Sequence, residues 1–305
     1  MANSVLNARH FQCEEAAFEY VEAALWPNGP VCPHCGEASR IGRLAGKTTR
    51  PGLRKCYACK KPFTVRIGTI FESSHLALHL WLQVIHLMCA SKKGVSTRQI
   101  QRMLNCSMKT AWFLTHRIRH AMDPGSSTPI GGLGRIVEAD ETALTNSRKT
   151  KRGPERKKPH TVVMSLVDRD GPIRSVVLDH RGVRPHLSAL LHPESKLVTD
   201  QAPFYRKVMP VGQHEAVDHS KFEYVRGEVH TNTLEGFFSI FKRGLIGIYQ
   251  HVDKRHLHRY LAEFDFRQNT RQKLGINDSQ RARIAVQSAK GKRLTYETAH
   301  SEASA

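Results

Sequence analysis

The chain has 305 residues, which is long enough for two or three domains with a sizeable buried core. It carries 47 Lys and Arg against 27 Asp and Glu, a formal charge of +20 and a pI of about 10. This surplus favours a polyanionic partner because each neutralised phosphate releases counterions. A merely solvated basic surface, or a ribosomal-type protein, would have a similar composition.

Neither a signal peptide nor a membrane span is predicted. The first ten residues contain no apolar run. The longest uncharged stretch, residues 73–91, contains three histidines, which is typical of a buried amphipathic helix. We therefore expect a cytoplasmic, nucleoid-associated protein with no membrane partner.

Four of the seven cysteines form two Cys-x₂-Cys pairs separated by 20 residues: Cys32 with Cys35, and Cys56 with Cys59. This spacing predicts tetrahedral coordination of Zn²⁺ in a ribbon that is too small to fold around its own core. His34 could substitute as a ligand, and disulfides or a redox role are weaker alternatives. The ribbon is assigned to an N-terminal segment, residues 1–70.

Residues 71–123 show helical periodicity. Two predicted helices, 97–104 and 108–122, are separated by three residues, which is typical of a helix-turn-helix. Basic and polar residues lie on or near the second, recognition helix: Lys109, Thr110, His116, Arg117 and Arg119. A plain helical hairpin is the alternative, but the ribbon and the net charge favour DNA binding. A linker at 123–129 ends this region.

Strands and helices alternate in residues 130–275. Strands are predicted at 135–144, 161–168, 173–179 and 196–200, with a helix near 185–192. Three consecutive strands, a crossover helix and a fourth strand form the order of a ribonuclease-H-like fold, in which strands one and four are neighbours. The predicted class is therefore α/β, with a zinc ribbon and a helix-turn-helix region before this domain.

Two basic segments accompany this domain. Residues 148–158 are predicted to form a hairpin tip suited to phosphates, or simply a solvated loop. Residues 276–305 are predicted to form a basic, flexible C-terminal tail.

Three acidic residues lie on different predicted elements. Asp140 is in the first strand, Asp200 ends the fourth strand, and Glu235 is on a helix predicted at 231–245. A carboxylate at the end of a buried strand is costly unless something compensates it. Together the three offer the hard oxygen ligands that Mg²⁺ or Mn²⁺ prefers. In a strongly basic chain this pattern predicts metal-dependent phosphodiester chemistry on nucleic acid.

The helix at 231–245 has a polar face formed at three- and four-residue steps by Asn232, Glu235, Ser239 and Lys242. Lys242 lies two turns after Glu235, where it could contact a phosphate while Glu235 contacts the metal. Considered alone, the helix fits an ordinary exposed Glu/Lys stripe better.

Two further acidic residues, Glu138 and Glu141, flank Asp140. Glu138 shares the face of Asp140 by the two-residue alternation of a strand, so it could be an auxiliary ligand. Surface or supporting roles are preferred for both.

These motifs together resemble bacterial insertion-sequence DDE transposases of the zinc-ribbon, ISXO2-like type. The likeness covers roughly residues 15–272 and rests on the four-cysteine ribbon and on residues 138–142, 198–200, 230–244 and 260–271. The resemblance implies a ribonuclease-H-like catalytic domain, a divalent metal and recognition of transposon-end inverted repeats. It also implies a third metal-side residue, Asn or Glu, followed by Lys. This chain offers Asn232 and Glu235, and we choose Glu235 because a carboxylate binds Mg²⁺ better than an amide.

The resemblance and the acidic residues together predict a DNA transposase. Asp140, Asp200 and Glu235 would hold two metal ions about 3.5–4 Å apart. One ion would activate a water that cleaves the transposon end, and the freed 3′-hydroxyl would then attack target DNA without a covalent protein–DNA intermediate. The expected partners are double-stranded DNA, as transposon ends and target, and further copies of the chain in a homodimer or higher oligomer.

Two other functions fit parts of this pattern. One is a zinc-ribbon/helix-turn-helix DNA-binding regulator with an inactive ribonuclease-H-like domain. The other is a nuclease that hydrolyses DNA without strand transfer. The presence of all three carboxylates favours the enzyme over the regulator, and the ribbon and helix-turn-helix favour recognition of DNA ends over a simple nuclease.

Overall fold

A computed structural model divides the chain into two compact units: one comprises Met1–Pro124 and Thr270–Ala305, the other Gly125–Asn269. The structure describes residues 4–125, 128–144, 161–180, 182–200, 205, 213–217 and 225–295. None of the helices within these ranges has the length and apolar character that crossing a membrane requires. The basic hairpin tip predicted at 148–158 lies outside the described residues.

The first unit begins with a helix and a three-stranded antiparallel sheet. Helix α1 spans Glu14–Leu25, and strands β1 (Ile41–Arg43), β2 (Arg54–Cys56) and β3 (Pro62–Phe63) pair in that order. Cys32, Cys56 and Phe63 are buried together, with Trp26 and Ile41 packed against them. So small an apolar cluster contributes little burial energy, so we expect this sheet to depend on a metal cross-link.

Three helices follow the ribbon: α2 (Leu78–Ala90), α3 (Thr97–Leu104) and α4 (Met108–Met122). Ser96 caps α3 by accepting a hydrogen bond from the backbone N of Gln99 at 3.2 Å, and Ser107 caps α4 in the same way through Thr110 at 3.0 Å. Asn105 ends α3 with a φ of 46°, in the left-handed region that asparagine tolerates. The helix, three-residue turn and helix therefore lie where the sequence predicts them.

The second unit is built on a mixed five-stranded sheet. Its strands are β4 (Ile136–Leu144), β5 (Thr161–Asp168), β6 (Ile173–Val177), β7 (Lys196–Asp200) and β8 (His214–Val217), in the order β6-β5-β4-β7-β8. β4 pairs antiparallel with β5 and parallel with β7, so the first and fourth predicted strands are neighbours. The sequence did not predict β8, and β6 ends two residues earlier than predicted.

Helices cover both faces of this sheet: α5 (Val183–Leu190) packs on one face, and α6 (Asn232–Gly244) and α7 (Leu257–Asn269) on the other. Successive strand residues point to opposite faces. Val137 and Ala139 of β4 accordingly pack with α5, and Glu138 and Asp140 lie on the side of α6. After Gly244 the chain continues into a π-helical turn, Leu245–Tyr249.

Helix α7 also covers the outer edge of strand β6. Asp265 accepts hydrogen bonds from the backbone N and the hydroxyl of Ser175, each at 2.7 Å. Asn269 accepts one from the backbone N of Ile173 at 2.7 Å and donates one to its carbonyl at 3.0 Å. An uncovered edge strand exposes backbone groups that can pair with other chains. Polar residues of the 260–271 motif therefore close this edge of the sheet.

Residues 276–295 differ from the flexible tail expected for residues 276–305. Helix α8 spans Asp278–Gln287 and packs against α2 in the first unit. Arg281 Nη1 donates to the carbonyl of Cys89 at 2.8 Å, and Lys292 Nζ donates to the carbonyl of Ala121 at 2.8 Å. The basic composition concealed this helix because its buried side is formed largely by small residues, Ala282, Ala285 and Val286.

Candidate acidic site and metal centre

The two Cys-x₂-Cys pairs meet at one place in the ribbon. The Sγ atoms of Cys32, Cys35, Cys56 and Cys59 lie within 4.8 Å of one another, and none of these residues forms a disulfide. The Cys32–Cys59 and Cys35–Cys56 Sγ distances are both 3.7 Å. His34, the alternative ligand, is not part of this cluster. Four convergent thiols, two from each pair, are the donor set of a tetrahedral structural zinc site.

Asp140 and Asp200 occupy equivalent positions on two neighbouring strands. The parallel register of β4 and β7 pairs Val137 with Leu197 and Glu138 with Val198. Extending this register by two residues aligns Asp140 with Asp200. Both side chains are half-buried. The two strands thus bring the aspartates to the same level of the sheet.

Helix α6 contributes to the same region. A pocket of about 310 Å³ is lined by residues of β4 and α6: Asp140, Glu141, Thr142, Glu235, Phe238, Ser239 and Lys242. The steps of four and three residues place Glu235, Ser239 and Lys242 on one side of the helix. Asn232, at the first position of α6, is exposed and does not line this pocket.

The three predicted carboxylates do not form a closed cage. Within the described ranges, the four cysteines are the only His, Cys, Asp or Glu group with three or more ligand atoms inside 4.8 Å of one another. Asp140, Asp200 and Glu235 are therefore spread more widely than the cysteines. Asp140 and Glu235 share the pocket, and Asp200 lies on the adjoining strand outside its lining.

Glu141 adds a fourth acidic group to this region. Burial, together with the charges of Asp200 and Asp140, raises the pKa of Glu141 to about 7, although a hydrogen bond from the Tyr205 hydroxyl lowers it. Burial and the adjacent Glu141 raise the pKa of Tyr205 as well. Burial is the larger cause of both shifts, and the charges of Asp140 and Asp200 add to it. The sequence analysis gave Glu141 only a surface or supporting role. A sequence feature that could have identified it is the two-residue alternation of β4, which places this acidic residue on the same face as the buried Val137 and Ala139.

Glu138 lies two residues before Asp140 but does not line the pocket. Its carboxylate accepts hydrogen bonds from Arg169 Nε at 2.8 Å and from the backbone N and hydroxyl of Thr233 at 3.1 and 3.0 Å. The structure thus gives Glu138 partners on the β5–β6 turn and on α6.

Helix α4 exposes fewer basic side chains than a recognition helix with five DNA-facing residues would. His116, Arg117 and Arg119 lie on α4 as predicted, but all three are at most 5% exposed. Helix α4 packs against other helices of the first unit, including α2 and α8, which accounts for this burial. Lys109 and Thr110, in the first turn, are exposed. Of the five predicted residues, these two are the exposed ones.

Two segments of the chain match known protein families. Residues 132–269 match the ISXO2-like transposase domain, and residues 11–62 match the transposase zinc-ribbon domain. The chain is 27% identical over 288 residues to an uncharacterized protein in transposable element ISH50 of Halobacterium salinarum, across 87% of this chain and 94% of the relative. No solved structure matches the chain significantly.

The matched domains coincide with the structural features described above. The zinc-ribbon match contains the four-cysteine centre. The transposase match contains the five-stranded sheet with Asp140 and Asp200, and helices α5 to α7. The chain belongs to the insertion-sequence transposases of the zinc-ribbon, ISXO2-like type.

Proposed function

We propose that this transposase binds the inverted repeats at the ends of its element, cleaves DNA there with a divalent metal and joins the freed 3′-hydroxyl to target DNA. The observation that carries the proposal is the pocket shared by Asp140, Glu235 and Lys242, with Asp200 at the equivalent position of the adjoining strand. Carboxylates that bind a cation, beside a lysine that binds phosphate, suit phosphodiester cleavage.

The sheet supports assignment of the second unit to the ribonuclease-H-like fold. Three antiparallel strands are followed by the crossover helix α5 and a fourth strand that pairs parallel with the first. A fifth strand extends the sheet beyond β7. The acidic residues Asp140 and Asp200 lie on the two strands that this topology makes neighbours.

Mg²⁺ or Mn²⁺ fits the donor set of the acidic site. Asp140, Asp200 and Glu235 offer the hard carboxylate oxygens that these ions prefer, and Asp140 and Glu235 line one pocket. When bound, the metal lowers the pKa of an attacking water or hydroxyl and offsets the charge that develops on the phosphate.

The side chains of α6 have separate roles in this proposal. Glu235 is the third metal-side residue, because it lines the pocket with Asp140 whereas Asn232 does not. Lys242 lies two turns along the same side of the helix, where its ammonium group contacts a phosphate of the bound DNA. These residues orient the scissile strand and hold the cation, and no protein nucleophile is needed.

The first unit supplies DNA binding in this proposal. Residues 73–122 contain no acidic residue, and several exposed basic residues lie on and before α3 and α4: Lys92, Lys93, Arg98, Arg102 and Lys109. The exposed first turn of α4 follows the three-residue turn, which supports a helix-turn-helix that inserts the start of α4 into the major groove. Because an element has two ends, we propose that a homodimer or higher oligomer acts on DNA.

The test is incubation of the purified protein with the DNA that flanks its own gene, with and without Mg²⁺. We expect 3′-end cleavage and joined products in the presence of Mg²⁺ and neither product without it. Cleavage without joining would contradict the proposal in favour of a nuclease. Specific binding of the ends without cleavage would favour a DNA-binding regulator.

A further inference from the structure

A completely buried carboxylate, Glu138, lies beside the acidic site and has no part in the proposed chemistry. It precedes Asp140 by two residues on β4 and lies on the same side of the strand. A buried charge is strongly unfavourable unless it is paired and hydrogen-bonded. The partners of Glu138 therefore indicate its purpose.

Two sets of donors surround the Glu138 carboxylate. Arg169 forms an ion pair through Nε at 2.8 Å and also donates from Nη2 to the carbonyl of His230 at 3.0 Å. The backbone N atoms of Thr233 and Leu234 donate to Glu138 at 3.1 and 3.4 Å, and the Thr233 hydroxyl donates at 3.0 Å. The His230 ring Nδ1 lies 3.4 Å from the carboxylate. The donors thus come from the β5–β6 turn and from the start of α6.

These contacts fix the first turn of α6 to strand β4. The first N–H groups of a helix have no partner within the helix, and a carboxylate there also gains from the helix dipole. Glu235 follows Leu234 directly, and the Thr231 hydroxyl lies 3.4 Å from Glu235 Oε1. Glu138 thereby connects the strand that carries Asp140 to the helix that carries Glu235.

We propose that Glu138 is a positioning residue that sets the spacing between Asp140 and Glu235 for metal binding. Its oxygens are already engaged by Arg169 and by the first turn of α6, so it does not bind the metal itself. The inference rests on the proposed function, since it assumes that Asp140 and Glu235 bind a cation. Residues that orient metal ligands typically change metal affinity by about 10–100-fold when they are replaced.

The test is Mn²⁺ binding by the full-length, zinc-loaded protein, measured as free Mn²⁺ by electron paramagnetic resonance. We expect Glu138→Gln to weaken Mn²⁺ binding about tenfold or more. Cleavage by this variant should recover at high Mn²⁺, because the ligands themselves remain. Asp140→Asn, which removes a proposed ligand, should lose the site and should not recover.

Glu263→Gln is the matched control. Glu263 is also completely buried, forms an ion pair with Arg267 and accepts a hydrogen bond from the Tyr249 hydroxyl at 2.7 Å. The same substitution there should lower the melting temperature and leave Mn²⁺ affinity unchanged. Comparison of the two variants thus distinguishes an effect of general destabilisation on Mn²⁺ affinity from an effect of altered spacing between Asp140 and Glu235.

The outcomes separate the inference from the proposed function. Wild-type Mn²⁺ affinity in Glu138→Gln, together with loss in Asp140→Asn, would overturn the inference alone. Wild-type affinity in Asp140→Asn would remove the proposed metal site and the inference with it. If Glu138→Gln does not fold, Thr233→Val removes one donor with little change of shape. This variant should weaken Mn²⁺ binding about threefold, and unchanged affinity would contradict the positioning role.

Discussion

At the scale of residues, the pocket distinguishes two neighbouring positions on α6. Glu235 lines the pocket with Asp140 and Lys242, whereas Asn232, at the first position of the helix, does not. The sequence offered both as the third metal-side residue. A carboxylate supplies a full negative charge to a cation, and an amide supplies only a dipole. Geometry and chemistry therefore favour the same residue.

Replacement of Glu235 by Gln should reduce metal-dependent cleavage by about 100-fold or more, because the metal loses a charged ligand. Asn232→Ala should reduce cleavage less, by about tenfold at most. Single-turnover cleavage of end DNA at fixed Mg²⁺ measures both, with DNA affinity measured in parallel. An inactive Asn232→Ala beside an active Glu235→Gln would reverse the assignment.

Glu14, the first residue of helix α1, has a structural role in the first unit. It accepts hydrogen bonds from the backbone N of Leu78 at 2.9 Å and of His79 at 3.1 Å, at the start of α2, and pairs with Arg66 at 2.9 Å. Burial raises its pKa, but these hydrogen bonds and the charge of Arg66 hold the pKa of Glu14 below its usual value of 4.5.

Glu14→Gln should therefore lower the free energy of unfolding by about 1–3 kcal/mol, because hydrogen bonds to a charged acceptor are lost. A depressed carboxyl pKa contributes stability that is complete above about pH 4.5 and is lost as the pH falls through the folded value. Denaturant unfolding at pH 7 measures this difference in stability, which should shrink as the pH falls below about 4.5. Glu19→Gln, at an exposed position of α1, is the control and should change stability by less than about 0.5 kcal/mol.

At the scale of elements, the ribbon has little apolar core of its own. Its three strands contain two or three residues each, and the buried cluster is Cys32, Cys56 and Phe63. Metal coordination then supplies much of the folding free energy of such a module.

The purified protein should contain about one tightly bound Zn²⁺ per chain, as thiolate sites of this kind do. Cys56→Ser should remove the zinc, and chelation should unfold the ribbon without melting the second unit. Elemental analysis and hydrogen exchange measure the two effects. Cys106→Ser, which lies outside the cluster, is the control and should leave the zinc content unchanged. If Cys56→Ser also left the zinc content unchanged, this ligand set would be ruled out.

The sequence predicted elements better than it predicted their surroundings. Two-residue and three- to four-residue periodicities located β4, β7, α4 and α6 within a few residues of their observed bounds, because periodicity reflects a buried face. Burial on α4 was not predictable in this way. Arg117 and Arg119 were predicted to lie on or near the recognition helix, but both are buried, and α4 packs against α2, α3 and the sequence-distant α8. The partners of Glu138 and Glu141 depend on the same long-range packing.

At the scale of the whole molecule, the first unit is built from both ends of the chain. Helix α8 packs on α2, and Arg281 and Lys292 donate hydrogen bonds to carbonyls of Cys89 and Ala121. Arg281 and Cys89 are 192 positions apart in the sequence. Local periodicity cannot report a contact of this separation, so the sequence predicted a tail.

Truncation of the chain after Asn269 should destabilise the first unit and leave the stability of the second unchanged, because it removes α8 and the hydrogen bonds of Arg281 and Lys292. Hydrogen exchange should show reduced protection in α2 and unchanged protection in β4 and β5. The matched control ends at Thr295 and retains α8. Equal protection of α2 in both truncated chains would contradict the structural role of this helix.

Cleavage of transposon-end DNA by Asp140→Asn and by Asp200→Asn tests the central claim most directly. Loss of one charged ligand disables a metal site for phosphodiester cleavage, yet relieves repulsion between carboxylates in the metal-free protein. Each variant should therefore fold, bind end DNA nearly as tightly as the wild type, and lose cleavage by about 100-fold or more. Cleavage above about a tenth of the wild-type rate in either variant would contradict the assignment of these aspartates to a catalytic metal site.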